Sequence, residues 1–225
     1  MANRQQFILN LQHRPAFGRD DFFVTECNQE ALSFIDLWPN WPGPLVWLCG
    51  PPGCGKSHLA AVWQERSGAN QLDQSQIMSD SISISRDSCC FFTDLSGDIE
   101  NERSLLSFYN IVAEQGGSIL VTSLFPPASY NFLIPDLGSR LRAAPVIKIA
   151  KADDELLEAV LIKLFVDRQL RVQPEVISYL MRRMDRSLSA ACEIVELLDN
   201  RALAEQRMIT VPLARSVMKS YGFCN

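Results

Sequence analysis

Hydrophobic and polar positions follow two different patterns along the chain. Up to about residue 150, short apolar runs alternate with stretches of helical periodicity; the runs cover residues 45–49, 89–94, 118–123 and 146–149, with a weaker candidate at 82–84. Buried strands of this kind, separated by helices, are typical of a parallel sheet that is covered on both faces. This part of the chain is therefore predicted to be an α/β domain.

Only helical periodicity continues after residue 150. Asp153 and Ser187 are placed to cap two helices, Pro174 suits the first turn of another, and Thr210 precedes a fourth. We expect an N-terminal segment over residues 1–14, an α/β domain over 15–150 and a small all-α lid over 151–225.

A phosphate-binding loop follows the first apolar run. The sequence G-x-x-x-x-G-K-S comprises Gly50, Pro51, Pro52, Gly53, Cys54, Gly55, Lys56 and Ser57. Glycines let the backbone turn its N–H groups toward an anion at the start of a helix, the lysine reaches the outer phosphates, and the serine hydroxyl is a ligand for Mg²⁺. A chance match is the alternative, but the order strand, loop, helix favours a nucleotide site.

Two other predicted strands end in polar residues that suit such a site. Asp94 ends the strand at 89–94, where a P-loop protein needs a carboxylate for Mg²⁺, usually through water. Ser123 ends the strand at 118–123, where its hydroxyl is a candidate donor to the outermost phosphate; Thr122 is a competing candidate. Ordinary turn and capping roles remain alternatives for these residues.

Leu95 stands where hydrolytic P-loop proteins commonly carry a second acid that activates the attacking water. Leucine has no group that could do so. The sequence therefore predicts nucleotide binding with weak or absent hydrolysis by the chain itself.

Two arginines are candidates for contacts with phosphate. Arg140 precedes the last predicted strand, from where an arginine can point at the nucleotide of a neighbouring subunit. Arg186 precedes a lid helix and could fold over the chain's own nucleotide. For a single arginine, a solvated surface position is the alternative.

The N-terminus carries an apolar-rich hexapeptide. It consists of Gln6, Phe7, Ile8, Leu9, Asn10 and Leu11. An extended segment of this kind can add to a partner's surface with its side chains in pockets, although it could equally pack on its own domain.

Composition narrows the classes of protein. The chain has 225 residues, a net charge of −5 and no dense basic stripe, so strong autonomous binding to DNA is not expected. There is no apolar run of about 18 residues, so no membrane span is expected, and the N-terminus lacks the pattern of a secretory signal. Seven irregularly spaced cysteines are typical of reduced thiols, and we expect a cytoplasmic protein.

Taken together, these segments resemble the DnaA-related AAA+ ATPases over nearly the whole chain. The segment with Phe17, Phe22, Phe23, Val24, Asn28 and Ala31 is similar to the family's adenine-side segment, and residues 50–59, with His58, to its Walker A box. Residues 123–127 resemble the sensor-1 segment, with Leu124 in place of the usual aspartate. Residues 135–141 resemble the arginine-finger box and residues 184–186 the sensor-2 motif.

This resemblance implies a P-loop AAA+ domain with a helical lid that binds ADP or ATP with Mg²⁺. It places nucleotide contacts on Phe23, Val24, the loop Gly50 to His58, Ser123 and Arg186, Mg²⁺ on Ser57 and Asp94, and an arginine finger acting in trans on Arg140.

Within the family, the chain looks most like a negative regulator of replication initiation. The hexapeptide resembles a motif that docks on the DNA polymerase III sliding clamp, which implies clamp contacts by Gln6, Phe7, Leu9 and Leu11, with Phe7 in place of the usual leucine. Because the sequence ends shortly after the lid, we expect no helix-turn-helix DNA-binding domain.

The implied activity is stimulation of the hydrolysis of ATP bound to the initiator DnaA, and homo-oligomerisation through AAA+ contacts is a further expectation. A helicase-loader-like ATPase and a degenerate nucleotide-binding scaffold are the alternatives.

Overall fold

A computed structural model describes residues 23–78, 90–95, 99 and 101–222. Its first part is built on a five-stranded parallel sheet with the order β2–β3–β4–β1–β5. The strands are β1 (Leu45–Cys49), β2 (Asn70–Gln71), β3 (Cys90–Asp94), β4 (Ser118–Ser123) and β5 (Val146–Lys148). The parallel α/β domain predicted from the sequence is confirmed.

Helices cover both faces of this sheet. They are α1 (Gln29–Asp36), α2 (Lys56–Ser67), α3 (Gln74–Met78), α4 (Glu102–Glu114) and α5 (Pro135–Ala143). On one face, Leu59 and Trp63 of α2 pack with Leu48 of β1 and with α1. On the other, Leu137 of α5 packs with Trp47 of β1 and with α4. Because side chains alternate between the two faces of a strand, neighbouring residues of β1 pack into different hydrophobic cores.

Four helices form the lid, with bounds α6 (Asp154–Asp167), α7 (Pro174–Met181), α8 (Leu188–Glu205) and α9 (Val211–Ser220). Their apolar faces make a separate core around Leu161, Phe165 and Leu198. The Asp153 carboxylate accepts a hydrogen bond from the Leu156 N–H at 2.7 Å, and the Ser187 hydroxyl accepts one from the Ala190 N–H at 3.1 Å. The two predicted caps are therefore confirmed, and an all-α lid follows the sheet.

Among the strands and α-helices that the structure describes, three were not predicted from the sequence: β2, α3 and α5. The β2 pair, Asn70 and Gln71, is exposed and polar, so it gives no apolar signal and depends on pairing with Phe91 and Phe92. The predicted strand at 82–84 and the N-terminal segment at 1–14 lie outside the described residues.

Candidate functional site

The loop between β1 and α2 has the backbone geometry of an anion cradle. Gly53 and Gly55 have φ angles of +67° and +105°, which residues with a side chain rarely adopt. A Cβ atom on Gly50 would lie 2.5 Å from the carbonyl oxygen of Ile149. Glycine is thus required at all three positions, and the turn leads directly into the N-terminus of α2, which favours an anion.

Lys56 lies within this loop. Its ammonium group donates hydrogen bonds to the carbonyl oxygens of Gly50, at 2.7 Å, and Pro51, at 2.9 Å. Ser57 is exposed and His58 half-buried in the first turn of α2. The sequence predicts that these residues form a phosphate site, and the structure places them next to one another at the start of α2.

A thiol is part of the loop. The Cys54 side chain is buried, and burial raises the pKa of this thiol despite the nearby Lys56. Cys54 is therefore a neutral, buried thiol within the loop.

Asp94 lies at the end of β3, on the same face of the sheet as α2. Its exposed carboxylate accepts a hydrogen bond from the Thr122 hydroxyl at 2.9 Å. Ser123 belongs to the other face: it is fully buried, accepts a hydrogen bond from the Trp47 indole at 2.7 Å and donates one to the Phe125 carbonyl at 2.5 Å. These positions favour Thr122 over Ser123 as the hydroxyl near a phosphate.

Leu95 is 1% exposed and packs in the core beneath α4. Its backbone is held on both sides, because its N–H donates to the Thr122 carbonyl at 2.8 Å and its carbonyl accepts from the Tyr130 hydroxyl at 3.0 Å. The residue thus contributes to packing and offers no polar side-chain group at the position that the sequence pattern assigns to a second acid.

The lid closes over the loop. The Leu188 N–H, at the start of α8, donates to the Gly53 carbonyl at 2.8 Å. A cavity of about 320 Å³ lies beside this contact; its lining includes Pro51, Pro52, Cys54, Lys151 and Arg186. The loop and the lid therefore form one pocket with two cationic side chains, Lys151 and Arg186, in its wall.

Arg186 also contacts an acid of the lid. Its guanidinium nitrogen lies 3.0 and 3.2 Å from the two carboxylate oxygens of Asp154, and both side chains are mostly exposed. The sequence did not point to Asp154 or Lys151 as site residues, since no local motif links either of them to the loop.

The described part of the chain begins with the segment that is predicted to lie on the adenine side. Phe23 and Val24 are exposed, and the buried Asn28 fixes the turn that follows them by donating to the Phe23 carbonyl at 2.8 Å. Phe17 and Phe22 lie outside the described residues. The Cys27 carbonyl accepts from the Ala150 N–H at 3.2 Å, so the segment is tied to the linker that leads into the lid.

Arg140 lies away from the loop, on α5. Its Nε–H donates to Asp136 at 3.0 Å, which raises the pKa of Arg140, and its guanidinium lies 5.5 Å from the centre of the Tyr109 ring of α4. Since α5 and α2 cover opposite faces of the sheet, the sheet separates Arg140 from the helix that begins at Lys56.

The part of the chain that the structure describes offers neither a metal-binding cluster nor a membrane-spanning helix. It holds no cluster of three or more His, Cys, Asp or Glu side chains suited to a metal. None of its helices is long and apolar enough to cross a membrane. The clamp-binding candidates Gln6, Phe7, Leu9 and Leu11 lie outside these residues.

Comparison with known proteins gives matches of three kinds. Residues 154–218 match the family described as "Hda, lid domain". An uncharacterized protein of Haemophilus influenzae is 25% identical over 188 residues, covering 78% of this chain and 81% of the relative.

Solved structures match the fold. Domain III of the replication initiation protein DnaA from Thermotoga maritima has a TM-score of 0.78 at 16% identity, with 92% of this chain and 97% of that chain covered. AMPPCP-bound DnaA from Aquifex aeolicus has a TM-score of 0.66 at 17% identity, with 86% and 68% covered.

Proposed function

We propose that this chain, whose lid matches the Hda lid family and whose fold is that of DnaA domain III, is a DnaA-related AAA+ protein that binds ADP or ATP and acts on DnaA. In this proposal it docks on the DNA polymerase sliding clamp through its N-terminus and stimulates the hydrolysis of ATP bound to DnaA. The result is negative regulation of replication initiation.

Nucleotide binding is supported by the loop geometry. The turn at Gly53 and Gly55, the lysine at 56 and the helix N-terminus together make a site for a phosphate chain, and the adjoining cavity extends it toward the lid. A structural neighbour is an AMPPCP-bound DnaA, which is consistent with an adenine nucleotide here.

The residues present also suit Mg²⁺. Mg²⁺ in nucleotide sites takes one or two protein oxygens and completes its shell with phosphates and water. Ser57 and the Asp94 carboxylate are exposed side chains that could supply such oxygens, so the absence of a larger acidic cluster among the described residues is compatible with it. When bound, the ion neutralises phosphate charge.

Hydrolysis by the chain itself should be weak. Leu95 occupies the position of the second acid and is buried in the core, so it offers no base for a water molecule. Nucleotide then serves to hold the lid against the loop rather than to be turned over.

The observation that carries the proposal is the placement of Arg140. Asp136 and Tyr109 hold a guanidinium on a helix that the sheet separates from α2, so the side chain is better placed for a partner's nucleotide than for its own. An arginine supplied in trans stabilises the negative charge that develops during phosphoryl transfer. DnaA is the expected partner, and the clamp would bring the two proteins together through Gln6, Phe7, Leu9 and Leu11.

The test is reconstituted hydrolysis of DnaA-bound ATP in the presence of DNA-loaded clamp. Arg140→Ala should lower the stimulated rate by on the order of 10³-fold, because an arginine finger contributes about that much. Arg103→Ala, which removes an exposed arginine of α4, is the matched control and should leave the rate unchanged.

The double variant Gln6→Ala/Leu9→Ala should lose both clamp binding and stimulation. If clamp binding persists in it, the assigned docking peptide is wrong. If Arg140→Ala stimulates as well as the wild type does, the proposal fails.

A further inference from the structure

The N-terminus of α5 is capped by a residue from another helix. Ile134, which precedes the helix, has no side-chain cap of its own, and Pro135 has no N–H group. Instead, the Glu102 carboxylate accepts hydrogen bonds from the N–H groups of Leu133, at 2.8 Å, and Ile134, at 2.6 Å. Both oxygens are used, and a negative charge at this end also complements the helix dipole.

Glu102 is itself held in place. It is the first residue of α4, whose cap Asn101 accepts a hydrogen bond from the Ser104 N–H at 3.2 Å. Because this end of α4 is capped, the Glu102 carboxylate has a fixed position from which to bind the start of α5. The two hydrogen bonds therefore fix the start of α5 relative to α4.

The same two helices meet a second time at Arg140. Tyr109 lies seven residues after Glu102, so the two side chains share one face of α4. The Tyr109 ring contacts the Arg140 guanidinium, which also pairs with Asp136 in the first turn of α5. One face of α4 thus holds α5 at its beginning and contacts the arginine further along.

We propose that Glu102 is a positioning residue that fixes α5 and thereby aims Arg140 at the nucleotide of a partner. The inference rests on the proposed function, because it deepens the role given to Arg140. Glu102 touches no nucleotide in this scheme and acts only through α5. Misplacing a catalytic group by about 1 Å can lower a reaction rate by a large factor. Loss of the two hydrogen bonds should therefore slow the hydrolysis of DnaA-bound ATP.

The variants are Glu102→Ala, which removes both acceptors, and Glu102→Gln, which keeps one. Glu114→Ala is the control, since Glu114 is exposed at the other end of α4. Stimulation of DnaA-bound ATP hydrolysis should fall about tenfold in Glu102→Ala and less in Glu102→Gln, while the affinity of the chain for ADP stays within about twofold. In an Arg140→Ala background, Glu102→Ala should have no further effect.

A second readout does not depend on DnaA. Nuclear magnetic resonance of the isolated protein should show faster amide exchange at Leu133 and Ile134 in Glu102→Ala, and a shifted Nε–H signal for Arg140. If wild-type protein fails to stimulate DnaA, the proposed function is overturned while these signals still decide the positioning role. If exchange increases but neither the Arg140 signal nor stimulation changes, Glu102 only stabilises the fold and the inference is wrong.

Discussion

Arg186 has two competing partners in this site: the neighbouring carboxylate of Asp154 and, in the proposed function, a nucleotide phosphate. Arg186 lines the cavity beside the loop, yet its guanidinium lies 3.0 Å from an Asp154 oxygen. Phosphate and carboxylate favour the same guanidinium geometry, so each weakens the hold of the other. Under the proposed function, Asp154 should therefore weaken nucleotide binding by an amount set by the strength of this exposed ion pair.

Asp154→Asn should tighten ADP binding by about two- to fivefold, the range expected when an exposed ion pair is removed. Titration calorimetry measures the change directly. Asp167→Asn is the control, because it removes the same charge from α6 at its salt bridge with Lys163 and not at Arg186. The gain should vanish in an Arg186→Ala background; equal tightening in Asp167→Asn would attribute the effect to net charge instead.

At the scale of elements, the contact between the loop and α8 holds the lid against the sheet domain. Gly53 has no side chain, and its carbonyl oxygen accepts a hydrogen bond from the N–H of Leu188, the first residue of α8. A Cβ atom there would lie 2.7 Å from the Ser187 Cβ and would also meet the Ser189 hydroxyl. The helix can approach the loop this closely only because residue 53 is glycine.

Gly53→Ala should lower the free energy of unfolding by about 1–3 kcal/mol, since it combines a positive φ with a steric clash. It should also weaken ADP binding, because α8 must move. Gly68→Ala separates the two effects. Gly68 has a φ of +66°, but a Cβ atom added there would meet no other atom within 4 Å. This variant should therefore be less stable and keep its affinity for ADP.

Gly43→Ala, with open space and no positive φ, should be neutral. Chemical denaturation and calorimetry measure both quantities. Unchanged ADP affinity in Gly53→Ala would mean that contact between α8 and the loop is not needed for binding.

Local signals explain which elements could be predicted. Asp153 and Ser187 each cap a helix through the N–H three residues later, so both helix starts are visible in short stretches of sequence. The loop around Lys56 is equally local. The β2 pair and α3 carry no such signal, because two polar residues and one helical turn acquire their structure from neighbours.

Contacts distant in sequence explain what was missed at the site. Arg186 and Asp154 are 32 residues apart, and Glu102 and Ile134 are also 32 apart. Their pairing depends on how helices pack, which no periodicity records. Ser123 shows that predicting a strand does not fix which face its residues point to. The strand was predicted from the sequence, but the structure shows that Thr122, one residue before Ser123, lies on the same face of the sheet as Asp94.

The whole molecule consists of two units with separate hydrophobic cores, the sheet with its helices and the lid, and the cavity beside the loop is lined by residues of both. The lid core around Leu161 and Phe165 is distinct from the cores on the two faces of the sheet. The contacts that join the units include the bonds from Leu188 to Gly53 and from Ala150 to Cys27. A ligand that touches both units should therefore couple their unfolding.

ADP with Mg²⁺ should raise the melting temperature and sharpen the transition in differential scanning calorimetry. At a hundredfold excess over Kd, binding to the folded state contributes about 2.7 kcal/mol. Lys56→Ala should lose this shift because the phosphate chain loses its cation, whereas Lys219→Ala, at an exposed position in the last turn of α9, should keep it. A shift of equal size in Lys56→Ala would place ADP outside the loop, and a sharpened transition without any ADP would show that the lid and sheet are already coupled by their direct contacts.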